Sequence, residues 1–148
     1  MLVRDVMSTG MVTAKRSDEV RAAVFKMITR HCGAIPVVDD EENLIGIVTA
    51  RDLMIPLYPN YGDYIHDAVH SRDFVEMESG YSAVLSKTVH EIMTPNPLSV
   101  APDDPALKAA SFMGLRHLRR MPVVESGKLV GMVSLGDISR GLFFFHHR

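Results

Sequence analysis

The 148-residue sequence predicts a mixed α+β fold of α/β-like character: two β-α-β-β-α repeats that share one core about a pseudo-twofold axis. Three observations predict it. Gly46-Ile47-Val48-Thr49-Ala50-Arg51-Asp52 is written again as Gly131-Met132-Val133-Ser134-Leu135-Gly136-Asp137. The surroundings match too, because Asp5-Val6-Met7 recurs as Glu91-Ile92-Met93, Met27 as Met113, His31 as His117, and Ile35-Pro36-Val37-Val38 as Met121-Pro122-Val123-Val124, all 86 positions on. The glycine motif is offset by 85, so one residue is lost in the turn between, where Asp39 to Asn43 faces the shorter Glu125-Ser126-Gly127-Lys128. A hairpin loop is where a structural repeat tolerates a length change. Third, repeats of about 50 residues are marginal alone and gain a sufficient core only by sharing it.

Each element follows from local pattern. Met11-Val12-Thr13-Ala14 reads as a short strand, then Ser17 or Asp18 caps a helix running to about His31. Apolar residues at 20, 23, 24, 27 and 28 form one buried stripe of that helix. Gly33 is placed to stop it in a left-handed conformation. Ile35 to Val38 is the second strand, reached through a helix, so a right-handed parallel crossover is expected. Leu44 to Thr49 returns antiparallel, Gly46 breaking the hairpin edge, and a helix follows. In repeat 2, Pro97 to Val100 holds the first strand and Asp104-Pro105 opens the helix with a cap and a proline at its first position. Ala106, Ala109, Ala110 and Met113 take the places of the repeat 1 stripe. Such small residues suit close approach of another helix, and equally a plain alanine-rich core helix. The connection from Ile55 to Thr88 is too long for a structureless loop in a compact domain; Asp63 to Glu78 can hold a helix that Gly80 breaks.

Composition narrows the function classes. Hydrophobic content of 47% with 23% charged residues is that of a soluble globular protein. A net charge of -2 leaves no basic footprint for nucleic acid. A single cysteine, Cys32, excludes an intrachain disulfide framework and suits a reducing cytoplasm, where it reads as a small buried hydrophobe. No apolar run reaches the length of a membrane span and no signal peptide is expected. The ending Leu142-Phe143-Phe144-Phe145-His146-His147-Arg148 is an interface segment on one reading and a remnant of expression on the other.

The repeated motif carries two readings. As [ST]-x-x-D it is a capping box, in which Thr49 or Ser134 accepts an N–H from the first helical turn and Asp52 or Asp137 answers. The same geometry offers free N–H groups and a hydroxyl to phosphate, and a carboxylate that accepts two hydrogen bonds from a ribose diol. His66 and His70, four apart with Asp67 near, form a weaker candidate metal pair. No Ser/His/Asp order, paired catalytic carboxylates, phosphate-binding glycine loop or C-x-x-C is present, so no enzyme is expected.

The leading Met segments, the h-P-V-V strands and the G-h-V-[ST]-x-x-D segments, each present twice and in order, resemble cystathionine-beta-synthase (CBS) domains, and the tandem resembles a Bateman module. The resemblance implies one module over 1–148, with repeats at 3–54 and 89–140, a linker at 55–88 and a tail at 141–148. It implies a regulatory ligand containing adenosine (AMP, ADP, ATP or S-adenosylmethionine, sometimes NAD), held in clefts between the repeats, and no further cofactor. On this resemblance Thr13, Ser99, Ile35 and Met121 line the adenine slot, against a plain reading as core and edge strand. Family members often place a basic residue just before the second strand for phosphate, which assigns Arg120, with Arg119 and His117 near, where repeat 1 has Ala34. The plain alternative is a helix C-terminus decorated with cations. The resemblance also implies a homodimer, and an effector protein supplied in trans. A ligand-independent homodimerisation module is the competing class, and a metal or redox sensor using His66, His70 or Cys32 is the third.

Overall fold

The computed structural model describes residues 1–58 and 74–147. The chain divides into two compact units: Met1–Val12, Val38–Ile45 and Asn96–Arg148 form the first, Thr13–Val37 and Gly46–Pro95 the second. Each unit takes the helix of one repeat and the leading segment of the other, and the turn of repeat 1 with its strand ends, Val38–Ile45, goes to the first unit, an exchange that the sequence spacing does not reveal.

In the second unit, helix α1 (Val20–Thr29) precedes strand β1 (Ala34–Val38) as far as Val37, and strand β2 (Leu44–Thr49) from Gly46 onward runs into the short helix α2 (Ala50–Met54). Short helices α3 (Phe74–Glu78), α4 (Tyr81–Leu85) and α5 (Val89–Ile92) follow, then β3 (Thr94–Pro95). The sheet order is β1-β2-β3, with β3 antiparallel to β2 and Gly46 opposite Pro95. In the first unit, helix α6 (Ala106–Arg116), strands β4 (Arg120–Glu125) and β5 (Lys128–Ser134), and helix α7 (Leu135–His146) repeat the order. Strands β4 and β5 pair antiparallel with an irregularity between Val123 and Val124. The mixed helix and strand content is the one expected.

Burial follows the stripes. Val20, Ala23 and Met27 of α1 are buried, as are Ala106, Ala109 and Met113 of α6. In the first unit Val3, Met121, Val123, Val133 and Ile138 complete one cluster around the α6 residues. Val3 and Val89, an equivalent pair at the 86-residue offset, are both fully buried. The leading segments are tied by backbone bonds: Val3 N donates to Asp104 O at 2.9 Å, and Val89 N to Asp18 O at 2.8 Å. Thr88 and Glu91 form a further capping box, and the Thr88 N–H bond holds the Glu91 carboxyl below its ordinary range.

Several local expectations are corrected. The first strand of each repeat shrinks to a single parallel bridge, Ala14 with Val37 and Val100 with Val123. On the N-terminal side the next bond of either ladder would need an N–H from Pro36 or Pro122, which proline lacks. Helix α1 starts after Glu19 with no side-chain cap, because Asp18 accepts from Lys15 N at 2.9 Å instead. Asp104 likewise accepts from Ala101 N, and Pro105 stands just before α6 rather than inside it. Gly33 does not stop α1. His31 takes the left-handed conformation at φ 52°, and Cys32 N closes the turn onto Met27 O at 3.0 Å. His117 at φ 56° with Leu118 N on Met113 O repeats this closure. Histidine is among the non-glycine residues that tolerate this region. Ile28, expected in the stripe, is exposed. Gly46 and Gly131 lie within paired strands rather than at a hairpin edge, where a Cβ would meet Met93 and the Ser8 carbonyl respectively.

Of the predicted linker helix, residues 63–73 lie outside the described residues, as do His66, Asp67 and His70. Phe74–Glu78 is helical, and Gly80 does separate it from Tyr81–Leu85. Among the described residues no helix is long and apolar enough to cross a membrane. Helix α7 carries the Phe-rich tail to His146, with Phe143 stacked on His147 at 4.8 Å between ring centroids.

Candidate ligand site

In the first unit β5 ends at Ser134, whose extended backbone turns into α7 with its side chain aimed along the helix. Asp137 N donates to Ser134 Oγ at 3.0 Å, and Ser134 N donates to Asp137 Oδ2 at 3.0 Å. The capping box is therefore real. The other carboxylate oxygen, Oδ1, accepts from Arg140 Nη2 at 2.7 Å. Strand register puts Arg120 directly opposite Ser134, and Leu135 N donates to Arg119 O at 2.9 Å. The structure thus brings Arg120, Ser134 and Asp137 to one strand end, with Arg119 contributing its backbone.

The second unit repeats the construction with different chemistry. Thr49 N and Thr49 Oγ1 donate to Asp52 Oδ2 at 2.8 and 3.1 Å, while Asp52 N reaches Thr49 Oγ1 at 3.4 Å. Asp52 Oδ1 accepts from Thr94 Oγ1 at 2.9 Å. Ala50 N donates to Gly33 O at 3.2 Å, the counterpart of the Leu135 bond to Arg119. Ala34, at the place of Arg120, is buried and brings no charge.

The expected adenine residues divide by exposure. Ile35 and Met121 are fully buried, so their side chains belong to the core and only their backbone can face a ligand. Thr13 and Ser99 are half-buried, and the Thr13 carbonyl accepts from Lys26 Nζ at 2.8 Å. Sequence reasoning missed Arg140, Thr94 and Lys26. The spacing of three from Asp137 to Arg140 on a helix was a usable signal for the first. Thr94 follows the repeated methionine as Ser8 does in repeat 1, which was a fainter one.

An apolar pocket of about 360 Å³ opens in the second unit, lined by Ala50, Leu53, Met54, Leu57, Tyr58, Phe74, Met77, Glu78 and Tyr81. Neither Thr49, Asp52 nor Thr94 lines it, so it is distinct from the polar constellation. Among the described residues no three His, Cys, Asp or Glu side chains gather as a metal site. Cys32 is a half-buried free thiol.

Comparison with known proteins agrees with this architecture. The family model of the CBS domain matches residues 3–58 and 89–143. YlbB of Bacillus subtilis, an uncharacterised protein, is 33% identical over 138 residues, covering 93% of this chain and 79% of that protein. Several other relatives are longer proteins in which the chain spans 40% or less of the length. The CBS-pair protein CBSX2 of Arabidopsis thaliana superposes with a TM-score of 0.81 at 27% identity, covering 99% of this chain and 97% of that one. A second CBSX2 structure, in complex with AMP, gives 0.74 with 97% of both chains covered. The CBS domain pair of protein MJ0100, in complex with 5′-methylthioadenosine and S-adenosyl-L-methionine, gives 0.71 at 26% identity and 98% coverage of both. Matched twice by the family model over most of its length, and carrying both copies of the strand-to-helix motif, the chain belongs to the CBS-domain family as a tandem pair of these domains.

Proposed function

We propose that the protein is a non-catalytic regulatory sensor that binds an adenosine-containing ligand, AMP, ADP, ATP or S-adenosylmethionine, and acts on a partner protein in trans. The observation that carries this reading is the twice-built hydroxyl and carboxylate pair at a helix start, with Arg120 set opposite Ser134 in repeat 2. Asp52 and Asp137 hold the ribose, Thr49 and Ser134 meet phosphate, and Arg120 with Arg119 adds positive charge in repeat 2. Thr13, Ile35, Ser99 and Met121 border the adenine through backbone groups and short side chains. The AMP complex of CBSX2 and the two adenosine ligands of MJ0100 support the ligand class. Regulation then follows from differential affinity of the ligand for two conformations of the pair. The single free Cys32 fits a cytoplasmic protein.

A thermal-shift screen of AMP, ADP, ATP, S-adenosylmethionine and NAD tests the reading. At a hundredfold excess over Kd a bound ligand stabilises by roughly 2.7 kcal/mol, enough to raise the melting temperature measurably. No shift with any of the five would overturn it. Arg120→Ala is expected to weaken nucleotide binding by about 1.5 to 3 kcal/mol and adenosine binding much less. Equal losses for AMP and adenosine would remove the phosphate assignment.

The closed capping boxes favour a second reading, a ligand-independent interaction module, since Thr49, Asp52, Ser134 and Asp137 already satisfy one another. Both readings share an expectation of self-association. Phe25 and Ile28 on α1 are 67% and 66% exposed, and Leu107 and Leu115 on α6 are 59% and 76% exposed, so each helix leaves large apolar side chains in water. A twofold homodimer that buries them is expected. Sedimentation at micromolar concentration should give the dimer mass, and Phe25→Asp should shift it toward monomer; a monomer for the native chain would end this expectation.

A further inference from the structure

The two motif carboxylates differ in what holds their outer oxygen. Asp52 Oδ1 takes the neutral hydroxyl of Thr94 at 2.9 Å, whereas Asp137 Oδ1 takes the guanidinium of Arg140 at 2.7 Å. At the 85-residue offset the counterpart of Arg140 is Ile55, and the counterpart of Gly136 is Arg51. The glycine has a geometric role. A Cβ at 136 would stand 3.3 Å from Arg140 Nη1 and 3.7 Å from Ser134 Oγ, so the guanidinium and the Ser134 hydroxyl both border the space that glycine leaves open at 136. The Arg140 side chain is 68% exposed and that of Asp137 18%, which makes the pair a surface contact that can exchange partners readily.

We propose that Arg140 is a specificity-determining residue of the repeat 2 site, selecting phosphorylated adenosine ligands over uncharged ones. The inference rests on the sensor reading above and goes beyond it by assigning a residue and a selectivity. A ribose diol needs the outer oxygen of Asp137, which already accepts from a charged donor, Arg140. An uncharged nucleoside must compete with that donor and offers it nothing. A nucleotide brings an anion to the Ser134 side of the site, where the planar guanidinium can take the phosphate and release Oδ1 to the diol. Repeat 1, with Ile55 and Ala34 at these places, lacks both cations of this arrangement.

Calorimetry with AMP and with adenosine on the full chain tests the proposal, comparing native protein, Arg140→Gln and Arg140→Lys. The native chain should prefer AMP. Gln should narrow that preference by roughly tenfold, partly by raising adenosine affinity, while Lys keeps most of it. A rise in adenosine affinity separates Arg140 from Arg120, whose removal frees no carboxylate. The melting temperature of the Gln variant should stay native, because the Ser134 and Asp137 capping bonds do not involve Arg140. An unmoved AMP to adenosine ratio in Arg140→Gln, equal weakening of both ligands, or a Lys variant as indiscriminate as Gln would overturn the proposal while leaving the sensor reading intact. Native protein that binds neither ligand would overturn the proposal, and would overturn the sensor reading as well only if ADP, ATP, S-adenosylmethionine and NAD also fail to shift the melt.

Discussion

Asp137→Asn is expected to keep a near-native melting temperature while its nucleotide affinity falls by about 1.5 to 3 kcal/mol, roughly tenfold to more than a hundredfold. The separation comes from the two oxygens having separate tasks. Oδ2 accepts the Ser134 N–H, and an asparagine carbonyl oxygen can accept the same bond, so the cap keeps its partner. Oδ1 faces Arg140, and there the Asn amide would present a donor to a donor. The guanidinium, two-thirds exposed, can move into water at little cost. What is lost is a charged acceptor for two ribose hydroxyls. Asp137→Ala should lose both tasks, lowering stability by about 1 kcal/mol along with the affinity. Calorimetry and thermal melts on the two variants check this. Native-like affinity in the Asn variant would reduce the motif to a cap and leave the interaction module as the better account.

The duplication was legible because covalent spacing preserves it: one offset aligns Met27 with Met113 and His31 with His117, and the structure gives the members of each pair the same place in a helix or its closing turn. Strand β2 was read with its observed bounds, since apolar residues between an acidic turn and a capping box leave little freedom for its ends. The caps themselves were legible at the level of bonding partners, being contacts three residues apart. Long-range facts were not. Nothing local says that Pro36 stops the first strand from pairing further, or that the leading segment of each repeat belongs to the other unit. The meeting of Arg120 with Ser134 depends on strand register across a hairpin with an irregularity at Val123 and Val124, which sequence spacing alone does not fix. Arg140 was overlooked for a different reason: as a surface arginine on a helix it looks like solvent-facing decoration until its partner is known.

Gly131→Ala is expected to be the most destabilising of the single-methyl additions in the repeated motif, at about 2 to 3 kcal/mol, which for a chain of this size is a fall of roughly 4 to 12 °C in melting temperature. A Cβ at 131 would lie 2.8 Å from the carbonyl oxygen of Ser8. That carbonyl is fixed, because Ser8 N donates to Met132 O at 2.8 Å and Met132 N donates back to Ser8 O at 2.9 Å. Moving it away breaks the bridge that holds the leading segment on β5. Gly46 has the same place in repeat 1 but a softer neighbour: its Cβ would meet the Met93 sulfur at 2.5 Å, with the Thr94 carbonyl at 3.2 Å. A half-buried methionine can change rotamer, so Gly46→Ala should cost only about 1 kcal/mol. Double variants make the distinction sharp. Met93→Ala should relieve much of the Gly46→Ala loss, whereas Met7→Ala should not rescue Gly131→Ala, since the obstruction there is backbone and only secondarily the Met7 sulfur at 3.0 Å. Equal losses at the two glycines, or full rescue of Gly131→Ala by Met7→Ala in thermal melts, would mean that side-chain crowding alone keeps both positions glycine.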